Sequence, residues 1–339
     1  MSRVIVVTGG TAGVGRAVAR RFASEGDSVA VLARGREGLA ATVAEIDDLG
    51  GRGLGLTADV AEADQVEAAA AHVERELGPI DVWINNAMTT AVRPVERITP
   101  SELQRITNVC YHGSVWGTCA ALRYMRPRNR GTIIQVGSAL AYRSIPLQAA
   151  YCGAKHAVRG FTDSLRSELL HDKVKIDVCM VQLPAVNTPH FGWCVNKMPR
   201  SVEPVPPICQ PELVAEAIYH VSHHPRREVF LGWPSSKAIV GDKLAPGFAD
   251  RFLATHGYEG QLTGAPDTNP PANLYAPVPG DHGAHGRFDT TARSRDPVAR
   301  IATVLGAAGV QAVIAAAATV IAGAFVVAVR GIVHGARAS

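Results

Sequence analysis

The segment Arg3-Val4-Ile5-Val6-Val7-Thr8-Gly9-Gly10-Thr11-Ala12-Gly13-Val14-Gly15 decides the fold. Its β-branched start reads as a buried strand, and the glycines that follow give a tight turn. Beyond the turn, Val14, Ala17, Val18 and Phe22 fall on one face of a helix. Strand, glycine turn and helix, in that order, let a backbone approach a pyrophosphate whose charge sits at the helix N-terminus. The spacing is Gly-x-x-x-Gly-x-Gly rather than Gly-x-Gly-x-x-Gly, and a plain glycine turn is the alternative.

A second apolar run, Ser28 to Ala33, ends in Arg34. An acidic residue there would take a ribose 2′-hydroxyl, whereas an arginine suits a 2′-phosphate. Arg16 and Arg36 are also near, so NADP is expected over NAD, with a solvated Arg34 as the alternative. Leu54 to Val60 predicts a third strand with Asp59 at its end, and residues 62–77 predict an acidic amphipathic helix. Ile80 to Ile84 is a fourth strand, followed by Asn85-Asn86-Ala87-Met88. This alternation predicts an α/β protein with a doubly wound parallel sheet covered on both faces, the Rossmann arrangement. Ligands on such sheets bind beyond the carboxyl ends of the strands, where Gly9, Asp59, Asn86 and Ser138 would converge.

Gly131 to Gly137 reads as another buried strand, and Ser138 ends it. Tyr151 and Lys155 stand four residues apart, one turn of a helix. An ammonium so close favours the phenolate and lowers the tyrosine pKa from about 10, which suits a phenol that exchanges protons with a substrate oxygen. The Ser138 hydroxyl could bond the same oxygen.

Composition narrows the class. With 339 residues, 47% apolar and 19% charged, the chain can bury one large core and something more. Its net charge of +4 is spread out, with no basic run that points to nucleic acid. Six cysteines without zinc or paired spacing favour a reduced, intracellular protein. The first strand starts so early that no cleavable signal peptide is expected.

Taken together, Thr8 to Gly15, Asp59-Val60, Asn85-Asn86-Ala87, Ser138 and Tyr151-x-x-x-Lys155 resemble the short-chain dehydrogenase/reductase family over roughly residues 1–235. The resemblance implies that Thr8, Gly9, Gly13, Val14, Gly15, Arg34, Asp59, Val60, Asn86 and Ala87 serve the cofactor. It also implies Tyr151 as general acid/base, Lys155 on the nicotinamide ribose, and Pro184, Val186 and Thr188 near the carboxamide. Three departures stand out: Met88 replaces a glycine, Ala185 replaces another after Pro184, and the family's fourth catalytic residue, an asparagine, aligns with Cys110. Asn108, two residues away, is the candidate to compensate.

Residues 187–210 are aromatic and proline-rich, and the resemblance makes them a substrate lid. Phe191, Trp193 and Met198 would make it apolar, favouring a hydrophobic ketone or alcohol; a disordered loop is the alternative. A helix is predicted over 211–224 and a last strand over 228–231, closing a domain at residue 245. Residues 246–300 then read as an irregular linker or arm, in which His282 and His285 lack the further ligands a metal would need. Residues 301–329 carry no charge and predict either a transmembrane helix or one packed on a partner subunit. The flanking arginines would keep the enzyme domain cytoplasmic and anchored at its C-terminus. The expectation is an NADP(H)-dependent oxidoreductase acting on a small hydrophobic carbonyl or alcohol, with a second copy of the chain as a candidate partner. The rival is a nucleotide-binding sensor or scaffold that lost turnover, suggested by Cys110 and Met88.

Overall fold

The computed structural model describes residues 2–232 and 246–295. Seven strands form one parallel sheet: β1 (Val4–Thr8), β2 (Ser28–Ala33), β3 (Arg52–Thr57), β4 (Ile80–Asn85), β5 (Thr132–Val136), β6 (Asp177–Gln182) and β7 (Glu228–Phe230). Their order across the sheet is β7-β6-β5-β4-β1-β2-β3. Every strand pair in it is parallel, which a chain can achieve only by returning through crossovers. Those crossovers are α1 (Gly13–Ala23), α2 (Arg36–Asp48), α3 (Ala63–Glu76), the pair α4 (Pro100–Thr107) and α5 (Gly113–Arg128), α6 (Ala149–His171) and α7 (Pro211–His223).

The strands read as continuous apolar runs because both faces are buried. On one face Val14, Phe22, Ile46 and Ile218 close over Ile5, Val31 and Val181. On the other, Val66, Val73, Met125 and Leu165 close over Val6, Trp83 and Ile133. The strand order reverses between β1 and β4, so a crevice opens beyond their carboxyl ends.

Boundaries move where side chains compete with the ladder. The third strand, expected over 54–60, stops at Thr57 because the Asp59 carboxylate accepts the Ala61 N–H at 3.0 Å and turns the chain. Between α4 and α5 the helix passes through a π turn, Asn108–His112. α4 itself starts on a capping box, with Thr99 and Glu102 bonding each other's backbone N–H.

From Pro246 the chain makes a short helix, α8 (Pro246–Phe252), and a π turn, Leu253–Gly257. Leu262–Pro266 then pairs antiparallel with Arg200–Val202. From there an arm without regular structure runs back across the carboxyl edge of the sheet, and Arg293 bridges to Cys209. Residues 301–329, expected to span a membrane or pack on a partner, lie outside the described residues. Among the described residues no helix is long and apolar enough to cross a membrane. The six thiols form no disulfide, and all but Cys119 are buried.

Under α5 a buried polar cluster is tightly fitted. Trp83 Nε1 donates to Asn85 Oδ1 at 2.8 Å, and Asn85 Nδ2 donates to Thr118 Oγ1 at 3.0 Å and Gln135 Oε1 at 3.1 Å. Gly117 leaves the room: a Cβ there would sit 2.2 Å from Asn85 Oδ1 and 2.7 Å from Trp83 Nε1. Helix propensity alone would have Gly117→Ala stabilise by about 1 kcal/mol. The clash reverses the sign, and the variant is expected to lose about 1–3 kcal/mol in urea unfolding; a gain would show that the cluster repacks freely.

Candidate functional site

A cleft of about 1010 Å³ lies along the carboxyl ends of β1 to β6. The glycine turn forms its floor. Gly9 has φ +64°, and a Cβ there would lie 2.7 Å from Ala87 Cα; one on Gly15 would lie 2.3 Å from the Gly9 carbonyl oxygen. Asn86 clasps this turn, donating from Nδ2 to the Thr8 and Gly9 carbonyls, each at 3.0 Å. The Thr8 hydroxyl accepts the N–H groups of Asn86 at 2.9 Å and Ala87 at 3.1 Å. Thr8 and Gly15 therefore shape the cleft without lining it, whereas Gly9, Gly13, Val14, Asn86 and Ala87 line it. No side chain caps the start of α1; the Gly13 N–H donates to the arm carbonyl of Gly283 at 3.0 Å, and among the described residues the Val14 and Gly15 N–H groups are left for an anion.

At one end of the cleft Arg34 stands beside Asp59 and Val60. Burial lowers the Arg34 pKa, and the neighbouring Arg105 lowers it further. Arg105 pairs with the Asp59 carboxylate at 2.5 Å. Among the described residues no carboxylate lies within ion-pair distance of Arg34. Its guanidinium instead donates to arm carbonyls, reaching Tyr275 O at 3.0 Å and also Asn273 O. Arg16 is committed elsewhere, to Glu45, Thr42 and Asp281, and Arg36 is exposed outside the cleft.

At the other end Ser138, Tyr151 and Lys155 converge on one wall. The Ser138 N–H donates to Gln182 Oε1 at 2.7 Å, and Lys155 Nζ donates to the Val136 carbonyl at 2.7 Å. Lys155 Nζ is 5.6 Å from the centre of the Tyr151 ring. The expected lowering of the tyrosine pKa is not what this geometry gives. Burial raises the phenol strongly, and the Ser138 hydroxyl opposes it only in part. The lysine, fully enclosed, is itself pushed down by burial. Desolvation thus disfavours the charged form of each.

Cys110 and Asn108, the two candidates for the fourth position, both lie on the π turn. Cys110 faces inward, its Sγ donating to Thr89 O at 3.2 Å and accepting Thr89 N–H at 3.3 Å. Asn108 faces away, its Oδ1 held by Gln104 at 2.6 Å and by His112 at 3.1 Å. Neither residue lines the cleft, but Met88 does, as do Pro184, Val186 and Thr188. A supporting chain went unseen in sequence because its members, two in strands and one in the loop after β5, are far apart along the chain. Gln182 Nε2 donates to Glu228 Oε1 at 2.7 Å, and the Tyr142 hydroxyl donates to the same carboxylate at 2.6 Å.

Of the residues expected in a lid, Phe191 and Trp193 line the cleft, whereas Met198 packs beside Val202 and Leu262. Phe248 and Phe252 of α8, which the sequence did not reveal as cleft residues, also line the cleft. His190 and His282 also line the cleft, and His282 stands edge-on to Trp193 with ring centres 4.6 Å apart. His285 instead bonds Glu212 and Asp289.

The family model for short chain dehydrogenases matches residues 3–196. An uncharacterized oxidoreductase of Bacillus subtilis is 30% identical over 272 residues, 79% of this chain and 76% of that protein. A 3beta-hydroxysteroid dehydrogenase of Mediterraneibacter gnavus is 34% identical over 164 residues, 48% of this chain and 59% of its own length. A short-chain dehydrogenase structure from Streptomyces avermitilis superposes with a TM-score of 0.63 at 27% identity, covering 76% of this chain and 98% of its own. The chain belongs to the short-chain dehydrogenase family. It is an NAD(P)-dependent oxidoreductase that works between CH–OH and C=O groups.

His190 offers a check on how dry the cleft wall is. Its Nδ1 has no hydrogen-bond partner among the described residues, and burial holds its pKa down at about 4. The unfolded chain takes up this proton near pH 6.5, the folded one only near 4. Stability from this ring is therefore present above pH 6.5 and lost as pH falls toward 4. His190→Gln is expected to lose less thermal stability than the parent between pH 7 and 4.5; parallel curves would mean that the ring is wet.

Proposed function

We propose that this protein is an NADP(H)-dependent reductase or dehydrogenase for a hydrophobic ketone or alcohol, with Tyr151 moving the proton. The observation that carries the reading is the meeting of Ser138, Tyr151 and Lys155 with the glycine turn in one cleft. The residues present fit a dinucleotide: the turn has room only for glycine, the α1 terminus offers the Val14 and Gly15 N–H groups, and among the described residues Arg34 is a cation without a carboxylate. When bound, the nicotinamide supplies the carbon that gives or takes the hydride.

The protein's own part is binding, orientation and proton transfer. Gly9, Gly13 and the α1 terminus would face the pyrophosphate, and Arg34 and Asp59 the adenosine. Ser138 would orient the substrate oxygen, its backbone fixed by Gln182. Tyr151, held neutral by burial, starts as the acid and donates to that oxygen in reduction. Lys155 would hold the ribose, and a positive nicotinamide beside both groups would favour the phenolate for the reverse direction. Cys110, with one weak donor bound to Thr89, cannot replace an amide in a water relay, so proton exchange with solvent would follow another route.

The substrate's apolar body would lie between Phe191 and Trp193 on one side and Phe248 and Phe252 on the other. His190, Glu203, Gln148 and Gln261 are among the polar residues that line the same cleft and would meet the substrate's polar groups. The test is to screen hydrophobic ketones and alcohols for NADPH consumption or formation. Tyr151→Phe should cost about 10²–10⁴-fold in turnover while the dissociation constant for NADPH stays within a small factor. Retention of most activity would overturn the assignment. Arg34→Ala should weaken NADPH about ten- to a hundredfold and NADH little; an unchanged preference would leave Arg34 no part in cofactor choice.

A further inference from the structure

The arm is anchored where it crosses the cleft. Leu274 is 1% exposed and packs among Ile106, Cys110 and Tyr151. On either side of it three consecutive carbonyls point at arginines. Arg34 Nη2 donates to Asn273 O, while Nη1 donates to Tyr275 O at 3.0 Å and more weakly to Leu274 O at 3.5 Å. Arg105 Nε donates to the same Leu274 O at 2.9 Å, and its Nη2 neutralises Asp59.

These contacts leave a definite edge of Arg34 unused. A guanidinium has five N–H donors, and the arm engages both Nη groups. Among the described residues no acceptor engages Nε, and Nη2, on the same side of the guanidinium, has a second hydrogen beyond the one bonded to Asn273 O. That pair is the fork that grips a phosphate bidentately. The Asp59 carboxylate, which would repel a phosphate nearby, is already paired with Arg105. Asn273, Pro277 and Val278 of the arm line the same cleft, and Gly283 O accepts the Gly13 N–H at 3.0 Å.

We propose that the segment Asn273–Tyr275 is a working part of the cofactor site. Its carbonyls aim Arg34 at the 2′-phosphate, and buried Leu274 is the positioning residue that keeps them there. This rests on the NADP reading above. An Arg34 released from the arm would still be charged but would pay rotamer entropy to bind, so phosphate selectivity would fall.

Direct binding of NADPH and NADH, measured by fluorescence titration, tests it on the full chain. Leu274→Ala is expected to weaken NADPH about tenfold and NADH less than about twofold, a coupling within the usual range. Leu274→Met, which refills the space, should restore most of the NADPH affinity. Equal weakening of both cofactors would make Leu274 a general structural residue and overturn the proposal, as would no effect on either. If Arg34→Ala also leaves the preference unchanged, the NADP reading falls together with it; if Arg34→Ala removes the preference and Leu274→Ala does not, only the arm's role falls. A second measurement needs no variant. By reciprocity, NADP⁺ should slow hydrogen exchange over residues 270–285 more than NAD⁺ does, and equal protection by the two would count against the arm.

Discussion

The clasp between Asn86 and the glycine turn is the constraint on which the site depends. One side-chain amide satisfies the Thr8 and Gly9 carbonyls at the point where the sheet reverses direction. Those carbonyls would otherwise be buried acceptors without partners, a cost of about 1–3 kcal/mol each. With them bound, the turn can adopt the positive φ of Gly9 and present the α1 terminus to the cleft. Everything downstream inherits that position, because β4 and β1 are adjacent and β5 carries Ser138 from the next place in the sheet.

The central parts of this arrangement were legible in the sequence because they are repetitive. Fully buried strands such as Val4–Thr8 write themselves as β-branched runs, and α1 shows its apolar stripe. The glycine turn, Ser138 and the Tyr151–Lys155 pair were legible for a different reason: their chemistry needs those residue types at those spacings. Other features depend on depth, which a sequence does not state. Electrostatics at Tyr151 turned on burial, and spacing to Lys155 gave the wrong direction. Cys110 and Asn108 are two residues apart and face opposite ways, and the π turn between α4 and α5 sets which one turns inward.

The arm shows another limit. Its composition, rich in proline, glycine and aspartate, carries no period, and its chief contacts to Arg34 run through backbone carbonyls that every residue possesses. No residue type marks such a contact. Leu274 itself is buried, but one leucine in a stretch rich in proline and alanine carries no period that would announce it. The same reasoning applies to Phe248 and Phe252, whose helix is too short to show a stripe.

The chain of contacts behind Ser138 has a direction as well as a position. The Tyr142 hydroxyl is kept protonated by burial and by its carboxylate partner, so it can only donate to Glu228. Glu228 must then accept from Gln182 too, which fixes which end of that amide is oxygen and turns it toward the Ser138 N–H. Three side chains from the loop after β5, from β6 and from β7 thus agree on one polarity, as gears agree on one sense of rotation. Sequence change here is constrained collectively: a substitution that reverses donor and acceptor at one member needs a matching reversal at its neighbours, so these positions should drift together rather than singly.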